Sequence, residues 1–445
     1  MPRSSAHPTP PPVPEAKFNR QLSAIWQTFV RSSLGTGLAV EARAIGSLLL
    51  SKLIAVYGGA GSLTLFAQFQ SLMSLFGSLP TDGVQVGATT RLAPLPPGTP
   101  RYAAWLGAAG LVTMGLVAGS GGLLWLLDRA AWKAGSAALF TLGMAAVTGQ
   151  ALLSTALLAA GRQRAYVVQV IILSILGTAA AGTALLLGRP LPQVMGYYLA
   201  GQALSVVPAL VQVQRIGLLR GLRAWPISWA AVRGLLSFVL MGTGTLVFGR
   251  VIDYEVRAYL IGHFAPASTD LWQAVDRLSG NYSLVVATVL STVFYPRLAT
   301  LAVVPAQARR YLLAVLGLLA LGLAVGLGLI FALRDVLVPL LFAPRLLAAR
   351  ELLAPQLLGD WAKFLSWVFI YQILARARPL PYLGVQAASA ALYAALLAWL
   401  MPRLGLSGVV WAHAVRYGVL LVACGVHFGL ANRGGFSAKT KLTVD

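Results

Sequence analysis

One stretch of this chain decides its fold: residues 234–261 read GLLSFVLMGTGTLVFGRVIDYEVRAYLI. A helix that crosses the hydrocarbon core of a bilayer needs about 20 mainly apolar residues, and this run is long enough to do so. Its second half nevertheless carries Arg250, Asp253, Glu255 and Arg257. A charge on a membrane helix costs about 2.5 to 3.5 kcal/mol, so such groups normally face a partner or a water-filled path. The stretch therefore predicts a membrane helix that borders a transport pathway.

The rest of the chain has the same apolar character. Of its 445 residues, 58% are hydrophobic and only 10% are charged, and the mean hydropathy is +0.77, which excludes an ordinary soluble domain. Twelve stretches between polar breaks are long enough to span a membrane. They are residues 32–56, 62–88, 102–127, 135–159, 165–187, 193–214, 234–261, 272–295, 311–333, 355–375, 380–401 and 406–431. The sequence therefore predicts an all-α polytopic membrane protein with twelve transmembrane helices.

Basic residues set the expected orientation. The two termini and the even-numbered connections hold nineteen of the 34 Lys and Arg residues, whereas the odd connections hold seven. By the positive-inside rule, both termini are expected in the cytoplasm. The net charge of +22 is scattered through short connections rather than gathered in one stripe, so no nucleic-acid partner is expected.

The chain lacks the patterns of common catalytic and metal sites. Cys424 is its only cysteine, which excludes an internal disulfide and a thiolate cluster. The four histidines show no ligand spacing, and the sequence contains no P-loop, HExxH or dinucleotide fingerprint. No catalytic residue, metal or cofactor is predicted, and the chain is not expected to be an enzyme.

The order of polar and apolar segments predicts two lobes. Residues 17–31 read as an interfacial helix or as a cytoplasmic extension of the first span. No cleaved signal peptide is expected ahead of them. The predicted units are a disordered proline-rich cytoplasmic tail (1–16), an N-terminal lobe (17–214), a cytoplasmic linker (215–233), a C-terminal lobe (234–431) and a cytoplasmic tail (432–445).

A weak internal repeat supports this division. Three polar residues recur in the same order at nearly the same spacing: Lys52, Gln68 and Arg91 in the first half, then Arg257, Gln273 and Arg297 in the second. Two related six-helix lobes around a central cavity are typical of alternating-access transporters with parallel repeats.

Helical spacing predicts how the intramembrane charges pair. Arg250, Asp253 and Arg257 are at i, i+3 and i+7, share one face and predict a ladder of opposite charges, with Glu255 on another side. Asp360 and Lys363 form an i, i+3 pair. Each pair has two interpretations, a salt bridge that fixes helix packing or a transport site.

Other spans contribute further polar groups. Glu41 and Lys52 share a face of the first span, Arg43 points elsewhere, and the eighth and last spans add Gln273, Asp276, Arg277, His413, Arg416 and Tyr417. Arginine binds phosphate through a planar donor fork, whereas lysine acts as a mobile point charge. Carboxylates beside such cations could couple transport to a proton or sodium gradient or to the membrane potential.

Several short stretches carry a family resemblance. They are residues 51–58 (SKLIAVYG), 83–91 (GVQVGATTR), Arg257 with Trp272 and Gln273, 295–298 (YPRL), 349–352 (AREL) and 356–363 (QLLGDWAK). In these stretches the chain resembles the Wzx-type flippases of the multidrug/oligosaccharidyl-lipid/polysaccharide (MOP) exporter superfamily, which serve enterobacterial common antigen and O-antigen synthesis. The proline-rich tail departs from that pattern.

The resemblance implies a function and a site. An undecaprenyl diphosphate-linked oligosaccharide would cross the bacterial inner membrane through a cavity between two lobes, for O-antigen or related surface polysaccharide. A polysaccharide polymerase and a chain-length regulator are the implied protein partners, alongside membrane lipids. The implied substrate-binding residues are Lys52, Arg257, Lys363, Arg43, Arg250 and Arg277. The implied coupling or charge-pairing residues are Glu41, Asp253, Glu255, Asp276 and Asp360, with Asp360 orienting Lys363.

Two other functions remain open at this level. In a drug or metabolite antiporter of the same superfamily, acidic groups such as Asp253 would hold an organic cation, but the cations on the same faces argue against it. A membrane enzyme that ligates or polymerises glycans would place acids and bases in a large external loop. The odd connections here are short and poor in acidic residues.

Overall fold

A computed structural model describes residues 44–127, 134–219, 228–301, 305–375 and 379–433, and these are almost entirely helical, with no strand among them. We number the helices in chain order. They are α1 (Ala44–Tyr57), α2 (62–92), α3 (Pro100–Leu127), α4 (Ala134–Ala159), α5 (Gln163–Leu186), α6 (Leu191–Ile216), α7 (Trp229–His263), α8 (266–301), α9 (Pro305–Ala332), α10 (Arg334–Leu341), α11 (Arg350–Ala375), α12 (Pro379–Leu404) and α13 (Ser407–Arg433). A 3-10 helix, Pro344–Ala349, precedes α11.

The helices coincide with the predicted spans. Eight of them, α3 to α7, α9, α12 and α13, are long and apolar enough to cross a membrane, and α1 is a shorter apolar helix. The more polar α2, α8 and α11 overlap the remaining three predicted spans. The chain is thus an all-α polytopic membrane protein, and the number of twelve crossings stays a prediction.

Some predicted boundaries differ from the observed ones. Helix α7 begins at Trp229, inside the segment predicted as a linker, because Ser228 caps it by accepting a hydrogen bond from the Ala231 N–H at 3.3 Å. The predicted tail 1–16 and the interfacial segment 17–31 lie outside the described residues.

Helix α9 shows how the protein meets lipid. Leu318, Leu321, Val325 and Leu329 lie at helical spacing on one face and are all strongly exposed. An exposed apolar stripe of this length would be unfavourable in water, whereas the acyl chains of a bilayer are its natural surroundings. The stripe therefore marks a lipid-facing surface.

Three of the long helices contain a π-helical segment, in which backbone hydrogen bonds join residues five apart instead of four. These are Leu79–Gln85 in α2, Leu246–Val251 in α7 and Leu290–Phe294 in α8. Within α2 the cause is local, because Pro80 has no N–H to donate. A π-segment rotates the residues that follow it relative to those before it, and such segments are frequent at functional sites.

Glycines allow α2 and α7 to cross closely. A Cβ atom on Gly83 would lie 2.8 Å from the Cα of Val239, and one on Gly242 would lie 3.1 Å from the Gly83 nitrogen. No side chain fits between the two backbones, so the first half of α7 packs against helices of the first half of the chain. This contact joins the two halves near the π-segment of α2.

Candidate functional site

The predicted site residues fall into separate clusters in the structure. Glu41 and Arg43 lie outside the described residues. The others occupy α1, α7, α8 and α11, and most of their charged groups already have partners inside the protein.

Arg257 is the centre of the first cluster and is 6% exposed. Its Nε donates to Gln273 Oε1 at 2.7 Å, and its Nη2 lies 3.2 Å from Asp276 Oδ2. The Nη1 group donates to the Ser71 hydroxyl in α2. The guanidinium is therefore neutralised by Asp276 of α8, and its bond to Ser71 joins the two halves of the chain.

The predicted ladder of opposite charges on α7 is wrong, because Arg257 does not pair with Asp253. Arg257 donates only to the main-chain oxygen of Asp253, at 3.4 Å. Its ion pair is with the Asp276 carboxylate in α8. The π-segment Leu246–Val251 includes Arg250 and shifts it relative to the residues that follow. Arg250 and Glu255 are exposed, and neither forms an ion pair within the described part of the chain.

Asp253 differs from Asp276 and Asp360, the acids that form ion pairs. Its side chain is exposed and makes no hydrogen bond or ion pair among the residues that the structure describes. The charges that act on it come from Arg250, Arg257, Arg416 and Asp276. Asp276 is itself 41% exposed, so both carboxylates are accessible.

Arg277 forms a second link between the halves. Its Nη2 donates to Gln70 Oε1 in α2, and its Nη1 lies 3.4 Å from the Ser47 hydroxyl in α1. Gln70 in turn donates to the Tyr198 hydroxyl in α6 at 3.1 Å. The Arg277 Nε is buried without a partner in the structure as described. This polar chain crosses from α8 into the first half of the protein.

Asp360 is the centre of a buried network. Its side chain is fully buried, and its Oδ1 lies 2.7 Å from Lys363 Nζ and 3.0 Å from His413 Nε2. Its Oδ2 accepts hydrogen bonds from Ser279, Tyr282 and Gln356. Lys363 also donates to the Ser283 hydroxyl at 2.9 Å.

The predicted pair of Asp360 and Lys363 is thus present, but it lies in a larger network. His413 was predicted only as a polar residue of the last span, without a role of its own. A carboxylate with this many donors is held rigidly, and it ties α8, α11 and α13 together.

Lys52 lies at an end of the bundle rather than against the Arg257 cluster. Its ammonium group donates to the main-chain oxygens of Leu340 and, at 3.4 Å, of Pro339. These oxygens belong to the last turn of α10, where carbonyl groups have no helical partner and the helix dipole attracts cations. These contacts give Lys52 a place in the helix packing, and its role in substrate binding stays a prediction.

A second contact at the same end joins α8 to the start of α2. The Asp270 side chain is fully buried; its Oδ2 accepts the Gly61 N–H at 2.8 Å, and its Oδ1 accepts the Thr64 N–H and hydroxyl, both at 2.9 Å. Gly61 is the N-cap residue of α2, has a φ of 80° and brings no capping side chain. Asp270 supplies that cap from the other half of the chain.

Arg345 completes this arrangement. Its Nε donates to the Ala55 oxygen at 3.0 Å, its Nη2 donates to the Gly59 oxygen at 2.6 Å, and Nη2 also lies 3.7 Å from Asp270 Oδ2. We call Lys52, Asp270 and Arg345 the end lock. All three bind main-chain atoms across the two halves, and only Lys52 had been predicted as a functional residue.

Comparisons with known proteins agree with this architecture. No model of a known protein family matches the chain. It is 26% identical over 423 residues to the Lipid III flippase of Escherichia coli (strain K12) and, to the same extent, to that of Shigella flexneri. Each alignment covers 90% of this chain and 98% of the relative.

Solved structures show the same fold at low sequence identity. An inward-facing multidrug resistance MATE family transporter of the MOP superfamily has a TM-score of 0.63 at 11% identity, with coverage of 89% of this chain and 96% of that one. The Lipid II flippase MurJ in an inward closed conformation has a TM-score of 0.62 at 10% identity, with coverage of 90% and 87%. The resemblance inferred from the sequence is confirmed: this chain has the fold of the MOP superfamily transporters and is similar over nearly its whole length to Lipid III flippases.

Proposed function

We propose that this protein is a flippase that moves polyprenyl diphosphate-linked oligosaccharides from the cytoplasmic to the outer leaflet of a bacterial inner membrane. One observation carries the proposal. The similarity to Lipid III flippases extends over 90% of this chain and 98% of the relative. The likeness to multidrug transporters, at 11% identity, concerns the fold alone. The flippase is therefore favoured over the drug antiporter.

The contacts between the halves support transport by alternating access. Arg257 and Arg277 reach from the second half to α1 and α2, and the end lock joins the halves at the α1–α2 connection. In the predicted orientation, this connection lies on the side away from the cytoplasm. A lock there closes the outer side, so the lipid-linked substrate would enter from the cytoplasmic leaflet. The locked contacts must break before the substrate is released.

The paired charges have a role in this cycle. Asp276 and Asp360 neutralise Arg257 and Lys363. A diphosphate headgroup would compete with those carboxylates, and a released carboxylate could take up a proton or another cation. Arg43, Arg277, Glu41 and Glu255 remain candidate binding or coupling residues of the same path. Transport would then be coupled to a proton or sodium gradient or to the membrane potential.

The remaining features of the proposal concern the cellular setting. Both termini would be cytoplasmic, with two six-helix lobes around the path. The protein would act as a transporter and not as an enzyme. It would supply surface polysaccharide synthesis, such as that of O-antigen, together with a polymerase and a chain-length regulator.

Deletion of the gene in its native host tests the proposal. Lipid extracts of the inner membrane should accumulate polyprenyl diphosphate-linked repeat units while the surface polysaccharide is lost. Expression of the wild-type protein from a plasmid should reverse both effects. Unchanged lipid-linked pools, with greater sensitivity of the cells to cationic compounds, would refute the flippase and favour the drug antiporter.

A further inference from the structure

Arg416 in α13 is held in place by aromatic rings rather than by an acid. Its Nε donates to the Ser389 hydroxyl of α12 at 2.8 Å. Its guanidinium carbon lies 4.8 Å from the ring centre of Tyr393 and 4.9 Å from that of Tyr417. Both contacts lie within cation–π range, which stabilises the charged group and orients its plane. The side chain is therefore positioned before any ligand arrives.

The two terminal nitrogens of this guanidinium donate no hydrogen bond to the residues that the structure describes. Arginine offers five N–H donors, and Arg416 uses only the one on Nε among the residues that the structure describes. It also forms no ion pair there, whereas Arg257 and Lys363 are paired with Asp276 and Asp360. An anion can bind the two terminal nitrogens of Arg416 without breaking an internal salt bridge.

Arg416 and the unpaired Asp253 lie on two helices, α13 and α7, that both contact α12. The Asp253 carboxylate is exposed and feels the charge of Arg416, although the two groups are not within ion-pair distance. Tyr393 of α12 contacts the Arg416 guanidinium, and the charges of Asp253 and Asp276 also act on its hydroxyl. The packing of α12 against α7 and α13 thus brings the fixed guanidinium near the carboxylate of Asp253.

We propose that Arg416 binds the diphosphate of the lipid-linked substrate through its terminal nitrogens. This inference rests on the proposed function and assigns a residue to the anionic group of the substrate. The Asp253 carboxylate has the same sign of charge as the diphosphate, so it repels the bound group and favours release. The guanidinium fork matches two phosphate oxygens at once, and a lysine at the same position would make a single point contact.

Binding of defined lipids to the purified full chain in nanodiscs tests this assignment. The probes are undecaprenyl diphosphate and the uncharged undecaprenol, and native mass spectrometry gives the affinity of each. Arg416→Gln should weaken binding of the diphosphate at least tenfold and leave undecaprenol binding unchanged. Arg416→Lys should fall between the wild type and Arg416→Gln, because it keeps the charge and loses the fork.

Arg403 offers a matched control. Its Nη1 donates to the Trp399 oxygen at 2.8 Å and its guanidinium lies over the Trp399 ring, but it is exposed at the end of α12. Arg403→Gln should therefore bind both lipids as the wild type does.

The outcomes separate this inference from the function on which it rests. A wild-type protein with no preference for undecaprenyl diphosphate over undecaprenol refutes the proposed substrate. A wild-type preference that persists in both Arg416→Gln and Arg416→Lys refutes only the role of Arg416. The same result is expected if Arg416 binds an acidic sugar instead, because undecaprenyl diphosphate carries no sugar. If Arg416→Gln lowers the unfolding temperature, Arg416→Lys decides, since it preserves the charge beside the aromatic rings.

Discussion

Replacing Asp270 with alanine should open the end lock. The carboxylate is fully buried in α8 and accepts hydrogen bonds from Gly61 and Thr64 of the other half of the chain. These bonds exist only while the two halves are closed at this end. Their loss therefore changes the ratio of closed to open molecules and leaves the internal packing of each half intact.

The magnitude follows from the geometry. Two N–H groups and one hydroxyl lose a charged acceptor, and hydrogen bonds to charged groups contribute about 1.5 to 3 kcal/mol each. Removal of the buried carboxylate also removes its desolvation cost, which offsets part of that loss. A net shift of about 2 to 4 kcal/mol remains, which corresponds to an approximately 30- to 700-fold change in the closed-to-open ratio. Asp270→Asn should give a smaller shift, because Oδ1 can still accept from Thr64.

Spin labels across the lock measure this shift. Cys424 is the only cysteine, so a Cys424→Ala background provides a clean host for labels. Ala60 and Ala348 are exposed and lie on opposite halves next to the lock, and cysteines at these positions can carry the labels. Pulsed double electron–electron resonance should show one short distance in the parent and a longer, dominant population in Asp270→Ala.

A salt bridge on the same side provides the control. Asp335 and Arg350 are 2.9 Å apart, but both are exposed and both belong to the second half of the chain. An exposed pair contributes about 0 to 1 kcal/mol, and this one does not cross the lock, so Asp335→Ala should keep the short distance. An unchanged distance distribution in Asp270→Ala would show that Asp270 does not hold the halves together.

Two further substitutions test how the helices are held together. Asp360→Ala should destabilise the protein by about 3 to 5 kcal/mol, because it leaves the buried Lys363 without its counter-charge. Asp360→Asn also removes the charge, so thermal unfolding in detergent should show a lower midpoint than the wild type for both variants, and a wild-type midpoint in Asp360→Asn would contradict this role. Gly83→Ala should lower the free energy of unfolding by about 1 to 3 kcal/mol, because the new Cβ would lie 2.8 Å from the Val239 Cα. Gly107→Ala is the control: its Cβ has open space around it, so this variant should unfold at the wild-type temperature.

Local features of the chain were predictable because they need no partner. The length of an apolar run determines whether a helix can cross a membrane, and the predicted spans coincide with the observed helices. The pair of Asp360 and Lys363 was also predictable, since an i, i+3 spacing places both residues on the same face of one helix.

Partners on different helices could not be predicted in the same way. The sequence paired Arg257 with Asp253 on its own helix, but the structure pairs it with Asp276, because the packing of α8 against α7 brings that carboxylate within 3.2 Å. Helical spacing describes one helix at a time and contains no information about which faces of two helices meet.

The sequence by itself determined that this chain is an apolar helical membrane protein with ionisable groups in its spans. Only the tertiary structure decided which of these groups are neutralised, and which residues lock the halves together. Asp270 and Arg345 lie in or near predicted connections, and they bind main-chain N–H and C=O groups. Nearly every residue has such backbone groups, whatever its side chain, so no sequence pattern marks them. The packing of the helices determines which of these backbone groups lie next to a charged side chain.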